Sequence, residues 1–308
     1  MTRRIFLLIF FTFFISGTVS CSKDEDVKRL DLSEIADIEK ASPQTGEKPL
    51  RIAVGGMITP KEGFAYYKKF LDYIGGKIDR KVEFVDREDY AEINTLLENG
   101  FVDAAFVCGG PYVDGHDQFG LELLAAPVAY GKTTYHSYII VPKNSPVSRF
   151  EELRGKTFAF TYPQSNSGKL APAFMLAQMG ETPESFFKSY TYTRAHDKSI
   201  RAVAAGIVDG AAVDSLIWEY DNLKNPAVTS GTRIIKKSPP YGIPPFVARP
   251  GLSPEIKEGL RNAVMNAHND EKGREILKGM MLEKFVSIDD SAYDSIREMK
   301  RWLAKQNK

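Results

Sequence analysis

The chain is poor in residues that cross-link or ligate. Only two cysteines, Cys21 and Cys108, and four histidines, His116, His136, His196 and His268, occur in 308 residues. The histidines lie far apart with no paired spacing, which argues against a metal site. Net charge is also lacking, with 41 Lys and Arg against 40 Asp and Glu. A near-neutral surface makes no electrostatic case for nucleic acid. The apolar run near the start, IFLLIFFTFFI, is too short to span a bilayer, and a long polar segment follows it.

What is present begins with that run. Preceded by MTRR and followed by SGTVSC, it has the build of an export signal over residues 1–20. Cys21, behind Gly17, Thr18, Val19 and Ser20, resembles a bacterial lipobox, in which the cysteine is lipidated and becomes the mature N-terminus. Thr18 departs from the aliphatic residue usual there, so an ordinary signal peptide with an incidental cysteine stays open as the alternative. Lipidation of Cys21 leaves Cys108 without a disulfide partner. Residues 21–48 are charged and hold few large apolar side chains, and they read as a flexible tether on that anchor. Loss of the signal removes 20 of 308 residues and leaves 288. It also takes away Arg3 and Arg4, so that 39 basic residues face 40 acidic ones, a net charge near −1. A hydrophobic content of 43% is enough for an exported fold held by its core.

From Leu50 onward strands and helices alternate. LRIAVGG is followed by a helix through Phe64–Ile74, then KVEFV, a helix from Asp89 to Asn99, VDAAFV, YHSYIIVP, TFAFT and a helix after Gly168. The alternation predicts α/β lobes with largely parallel sheets. Three helices near Glu255–Asn266, Gly273–Met280 and Ala292–Ala304 close the chain, as a helical C-terminal segment packed on the first lobe. One stretch echoes another. NTLLENGFVDAAFVCGG and IRAVAAGIVDGAAVDS share a helix end, then G-x-V-D-x-A-x-V, then a loop, about a hundred residues apart. Gly100 and Gly206 read as the glycines that end the helices, and Val102–Val107 and Val208–Val213 as buried strands. Two copies of one unit suggest two similar lobes, although G-x-V-D-x-A is also a common way to leave a helix and enter a strand. Ligands of open α/β sheets bind beyond the carboxyl ends of the strands, so the loops beginning at Cys108 and Asp214 are expected to face one cleft.

Between the strand TFAFT and the next helix stand Ser165, Asn166 and Ser167. Unpartnered N–H groups and the macrodipole make a helix N-terminus a natural anion site, and hydroxyls and an amide placed there reinforce it. Ordinary capping, which one of the three would satisfy, is the competing explanation. Other candidates are equally two-sided. Tyr90 sits on the apolar face of Ile93, Leu96 and Leu97 and reads as core or as site. Tyr135 is one of several aromatics near a strand. His196 opens the helix that leads to Gly206. Asp214 reads as a cap for the helix holding Ile217 and Trp218, or as an acceptor for a protonated ligand oxygen.

The pieces DYAEI, TTYHSYIIVPKNSP, SNSGKLAP, AHDKS, AAVDS and SPPYGIPPFVAR, in that order behind an export signal, resemble the phosphonate-binding protein family. Its members are the periplasmic receptors of ABC importers for phosphonate, phosphite and related oxyanions. The likeness covers roughly residues 50–305, and S-x-S-G-x-x-x-P is its most specific piece. It implies a type II two-lobed clamshell, with residues 49–138 and 245–308 in one lobe and 139–244 in the other. It also implies a permease and an ATPase as partners, no cofactor, no catalysis and a monomer. The family's serine-rich helix start falls on Ser165, Asn166 and Ser167, with Asn166 where threonine is usual. Its cleft tyrosines fall on Tyr90 and Tyr135 and its histidine on His196. In members that bind aminoalkylphosphonates, a Glu and an Asp meet the ammonium group, and those places fall here near Leu216 and Pro244. The segments Tyr138–Pro142 and Pro244–Arg249 are expected to cross between the lobes as hinges.

Three other readings compete: a hydrolase, a phosphate-binding loop and a sensor. Ser165 or Ser167 with His196 and Asp214 would supply a hydrolase triad, but the chain has no G-x-S-x-G elbow. A phosphate-binding loop ending at Gly168-Lys169 would need glycine where Pro163 stands. A sensor that reports its ligand to a membrane kinase or chemoreceptor would use the same clamshell.

Overall fold

In the computed structural model the described residues are 48–55, 61–87 and 89–306. The export signal, Cys21 and the tether up to residue 47 lie outside them. Thirteen strands are β1 (Leu50–Val54), β2 (Val82–Asp86), β3 (Ala104–Phe106), β4 (Glu122–Val128), β5 (Thr134–Tyr135), β6 (Ser137–Pro142), β7 (Thr157–Phe160), β8 (Ser189–Tyr192), β9 (Gly210–Asp214), β10 (Thr232–Lys237), β11 (Tyr241–Gly242), β12 (Phe246–Ala248) and β13 (Lys284–Val286). The longer helices are α1 (Lys61–Lys77), α2 (Tyr90–Glu98), α3 (Gly109–Phe119), α4 (Ala171–Ala177), α5 (His196–Ala204), α6 (Ser215–Lys224), α7 (Pro254–Met265), α8 (Glu271–Gly279) and α9 (Asp294–Gln306).

Each lobe is built on one sheet. Strand order is β13-β4-β12-β3-β1-β2 in the first and β10-β6-β9-β7-β8 in the second. Both faces of each sheet are covered, because alternate side chains point to opposite sides. In the first, Ile52, Val54 and Phe106 pack with Phe70 and Phe285, while Ala53, Ala105 and Val107 meet Ile93 and Leu97. In the second, Phe158 and Phe160 face Leu176 and Phe186, while Ala159, Ala211 and Val213 face Ile200 and Val203.

The sheets are mixed, which corrects the expectation of largely parallel ones. β1 runs parallel to β2 and β3, and β7 to β8 and β9. Beside each parallel trio lies an antiparallel strand that has just crossed from the other lobe: β12 beside β3, with Phe246 opposite Phe106, and β6 beside β9, with Ser137 opposite Asp214. The expected hinges are displaced as well. Tyr138–Pro142 lies within β6, and Phe246–Ala248 forms β12, so these stretches are sheet interior. The crossings run through residues 129–136 and 238–245, where β5 and β11 pair with each other, Tyr135 opposite Tyr241. A crossing chain still needs partners for its backbone groups, and here each strand supplies them to the other.

The C-terminal helices follow the first lobe, with one refinement. α7 and α8 pack against α1, whereas α9 lies on α3 and also reaches α4 of the second lobe, where Trp302 meets Phe174 edge to face at 5.2 Å.

Candidate functional site

Both copies of the echoed unit fold alike. Asp89 caps α2 by accepting from the Ala91 and Glu92 amides. Gly100 and Gly206, at φ +71° and +69°, end α2 and α5 in the left-handed region that glycine occupies without a Cβ penalty. The chain then enters β3 or β9 and leaves at Cys108 or Asp214, each of which starts a helix. That placement brings Tyr90, Tyr135, Ser165, Asn166, Ser167, His196 and Asp214 to the junction of the lobes. All seven are between 0 and 2% exposed.

The serine-rich stretch forms a single π turn over Asn166–Leu170 ahead of α4, where the sequence pattern predicts an α-helix from the start. The Leu170 amide reaches back five residues to the Ser165 carbonyl at 2.9 Å. Gly168 makes the wider turn possible, since a Cβ there would run into the Thr161 hydroxyl. Ser165 Oγ accepts from the Gly168 amide at 3.0 Å, so this serine does the capping. Ser167 does not: its carbonyl accepts from Ser137 Oγ at 2.6 Å, while its own hydroxyl is buried with no partner. Asn166 Nδ2 donates to the Tyr135 hydroxyl at 3.0 Å and leaves Oδ1 unpartnered.

His196 is the first residue of α5, and its Nδ1 accepts the Asp214 backbone N–H at 2.9 Å. A backbone N–H only donates, so Nδ1 is the bare nitrogen and Nε2 carries the proton. Nε2 is buried without a partner, and burial holds the imidazole pKa down to about 3. The ring is thus a neutral donor. Asp214 Oδ1 caps α6 through the Leu216 amide at 2.7 Å. Burial pushes its carboxyl up to about 7, against the pull of the Leu216 and Ile217 amides.

Tyr90 supplies the first lobe's hydroxyl, also buried and unpartnered, with its ring 4.7 Å from that of Tyr162 in the second lobe. Its phenol is raised by burial first and then by Cys108, Asp214 and Tyr162 nearby. The lobes touch again where α3 begins, because a Cβ on Gly110 would strike the Gln164 carbonyl.

The echo had marked the loops after Cys108 and Asp214, and both border this junction. The Cys108 thiol is 3.8 Å from the Tyr135 hydroxyl, and the Asn166 and Gly110 amides point to it. Sequence reasoning missed Tyr162 and Ser137. Ser137 had one available signal, its position on the strand that follows Tyr135; Tyr162 had none beyond adjacency to the serine stretch. The hydrolase geometry is not assembled. His196 Nδ1 receives a backbone amide where a triad would have it donate to a carboxylate, and among the described residues no serine hydroxyl is bonded to His196.

Comparison with known proteins identifies the architecture. The family model for the periplasmic substrate-binding protein of phosphonate ABC transporters matches residues 53–293. The chain belongs to the phosphonate-binding family. Among its relatives in this family, a probable ABC transporter phosphite binding protein of Prochlorococcus marinus is 27% identical over 251 residues, covering 78% of this chain and 84% of the relative. The phosphonates-binding periplasmic protein of Escherichia coli is 26% identical over 269 residues, covering 85% and 79%. In three dimensions, a binding protein component of an ABC phosphonate transporter from Pseudomonas aeruginosa superimposes with a TM-score of 0.77 at 25% identity, covering 82% of this chain and 86% of that one. A Prochlorococcus marinus protein solved with methylphosphonate gives 0.76 at 22% identity, covering 84% and 99%. The type II clamshell is therefore the fold of this chain.

Proposed function

We propose that this protein is the substrate-binding lipoprotein of an ABC importer and that its cleft closes on one small phosphorus oxyanion: a phosphonate, phosphite or phosphate. The reading rests above all on three buried groups able to donate that are left without partners where the lobes meet, Tyr90 OH, Ser167 Oγ and His196 Nε2. An unmade hydrogen bond on a buried group costs about 1–3 kcal/mol. Three donors from two lobes, with Tyr135 and Asn166 beside them, suit a tetrahedral anion that spreads its charge over several oxygens. No cationic side chain is needed. Ser165 shapes the turn that presents Asn166 and Ser167.

Asp214 sets the protonation state. An ionised carboxylate would repel the anion, whereas one proton shared between Asp214 and a P–OH group turns repulsion into a charge-assisted hydrogen bond. The protein breaks no bond in its ligand, acts as a monomer, and hangs from the membrane through lipidated Cys21 on the periplasmic side, where closure presents it to the permease.

By the family resemblance, the places where an ammonium-binding carboxylate would stand fall near Leu216, two residues after Asp214, and near Pro244. Burying an ammonium group poorly paired costs several kcal/mol. Calorimetric titration with phosphite, phosphate, methylphosphonate and 2-aminoethylphosphonate tests the whole reading. Binding of at least one of the first three, with the amine weaker, is expected. Tight binding of the amine and none of the others would overturn it.

A further inference from the structure

Beside Asp214 lies a cavity of about 80 Å³ whose walls come from both lobes and from the returning crossing. Its lining includes Tyr67 and Phe106 of the first lobe, Leu216 and Ile217 of the second, and the turn residues Tyr130 and Met281; Asp214 is the one charged side chain in the wall. Tyr67 and Phe106 meet edge to face at 5.1 Å, which fixes the floor. The anion-facing atoms of Ser167, His196 and Tyr90 are not part of this wall, so the cavity adjoins the oxyanion cluster and meets it at Asp214.

Two further features mark it as built. Among the described residues four non-glycines have positive φ, and two of them, Tyr130 at +50° and Met281 at +59°, line this one cavity. Such backbone conformations cost energy in bulky residues and persist where the surroundings enforce them. Here the two turns brace each other: the Gly131 amide donates to Glu283 Oε1 at 2.6 Å, and the Glu283 amide to the Val128 carbonyl at 2.9 Å. A water needs about 10–15 Å³ of such space, so the cavity has room for roughly five to eight water-sized groups, yet its mostly aliphatic, thioether and aromatic wall offers water few partners.

We propose that this cavity receives the carbon substituent of a bound phosphonate, and that the preferred ligand carries an uncharged apolar group of roughly two to four carbons on phosphorus. The proposal rests on the oxyanion reading above and narrows it. With phosphorus held at the junction, Asp214 meets a P–OH oxygen at the mouth of the cavity, and the P–C bond directs the substituent inward against Phe106, Ile217 and Met281. Inorganic phosphate and phosphite leave the space unfilled. Each methylene placed there is expected to raise affinity about fourfold.

The test is a titration of the mature protein with phosphite, phosphate and the methyl, ethyl, n-propyl and n-butyl phosphonates, repeated on Leu216→Phe. Affinity is expected to climb from methyl to propyl, and Leu216→Phe is expected to erase the climb while phosphite binding persists, which also shows that the variant is folded. A flat series in the unaltered protein, with phosphite or phosphate still bound, would overturn the cavity's role and leave the oxyanion reading standing. Binding of no phosphorus oxyanion would overturn both. A climb unchanged in Leu216→Phe would place the substituent elsewhere and overturn the assignment.

Discussion

The two echoed units share a backbone and differ in how complete they are. Tyr90 and His196 open equivalent helices, and Cys108 and Asp214 end equivalent strands, each pair 106 positions apart. In the second lobe these residues serve one another: the Asp214 amide orients His196, and the Asp214 carboxyl caps its own helix. In the first lobe Tyr90 OH has no partner, and no side chain caps α3 behind Cys108. On the proposed reading the second lobe is thus a preorganised half-site, with the His196 ring held before anything arrives, and the first lobe adds the Tyr90 hydroxyl. Preorganisation lowers the ordering cost of binding, so the ligand is expected to settle on the second lobe and draw the first lobe over it.

That asymmetry can be broken from either side. The largest effect is expected from His196→Ala, which removes the locked donor and strands the Asp214 amide. A hydrogen bond to a charged group contributes about 1.5–3 kcal/mol, so calorimetry should show affinity falling by tenfold to more than a hundredfold. Tyr90→Phe should cost less and lose a different property, with weak binding retained but the ligand-induced compaction seen by small-angle scattering reduced. Cys108→Asp makes the first lobe imitate the second. It sets a second buried carboxyl near Asp214, so oxyanion affinity should drop at pH 8 and recover in part at pH 5, where the pair carries less negative charge.

The pH dependence of stability separates the two members of the second lobe's pair. His196 is depressed to about 3 when folded, so the unfolded chain binds the extra proton and stability is lost as pH falls below the ordinary histidine value of about 6.5. Asp214 is raised to about 7, so its contribution runs the other way, full below the ordinary carboxyl value and lost as pH rises to 7. Between about pH 4 and 6.5 the two slopes oppose and nearly cancel. Asp214→Asn removes one of them. Its stability, measured by denaturant titration, should fall by about 2 kcal/mol from pH 6.5 to 5, while the parent changes far less. The smallest effect is expected where the copies are equivalent: Gly100→Ala and Gly206→Ala each force a Cβ into the left-handed region and should cost a similar amount, about 1–2 kcal/mol.

Much of this molecule was legible in its residues. The alternation of apolar strands and amphipathic helices gave α/β lobes, the repeated G-x-V-D-x-A gave the twofold plan, and Gly100 and Gly206 announced helix ends that the backbone confirms. The serine stretch was legible as a helix start, although which hydroxyl caps and which is left over was not. That depends on Ser137 Oγ taking the Ser167 carbonyl and on Gly168 sitting beneath Thr161, contacts between segments remote or folded back in sequence. Strand direction was hidden for a related reason. YHSYIIVP is equally apolar beside a parallel or an antiparallel neighbour, and its direction was decided by the chain having come across from the other lobe. Tyr162 was invisible because its role exists only when Tyr90 closes against it.

Pairing of β5 with β11 has a mechanical consequence. Tyr135 lies in that two-stranded ribbon and is also the residue whose hydroxyl receives Asn166. The crossing between the lobes and, on the proposed reading, a wall of the cleft are therefore the same few residues. A twist of the ribbon swings the far rims of the lobes through a larger distance than it moves the ribbon itself, a motion of the kind that clamshell receptors use to seal on a ligand. In the receptor proposed above, torque applied by one small molecule at Tyr135 would be geared up into a displacement that a partner at the lobe rims can feel.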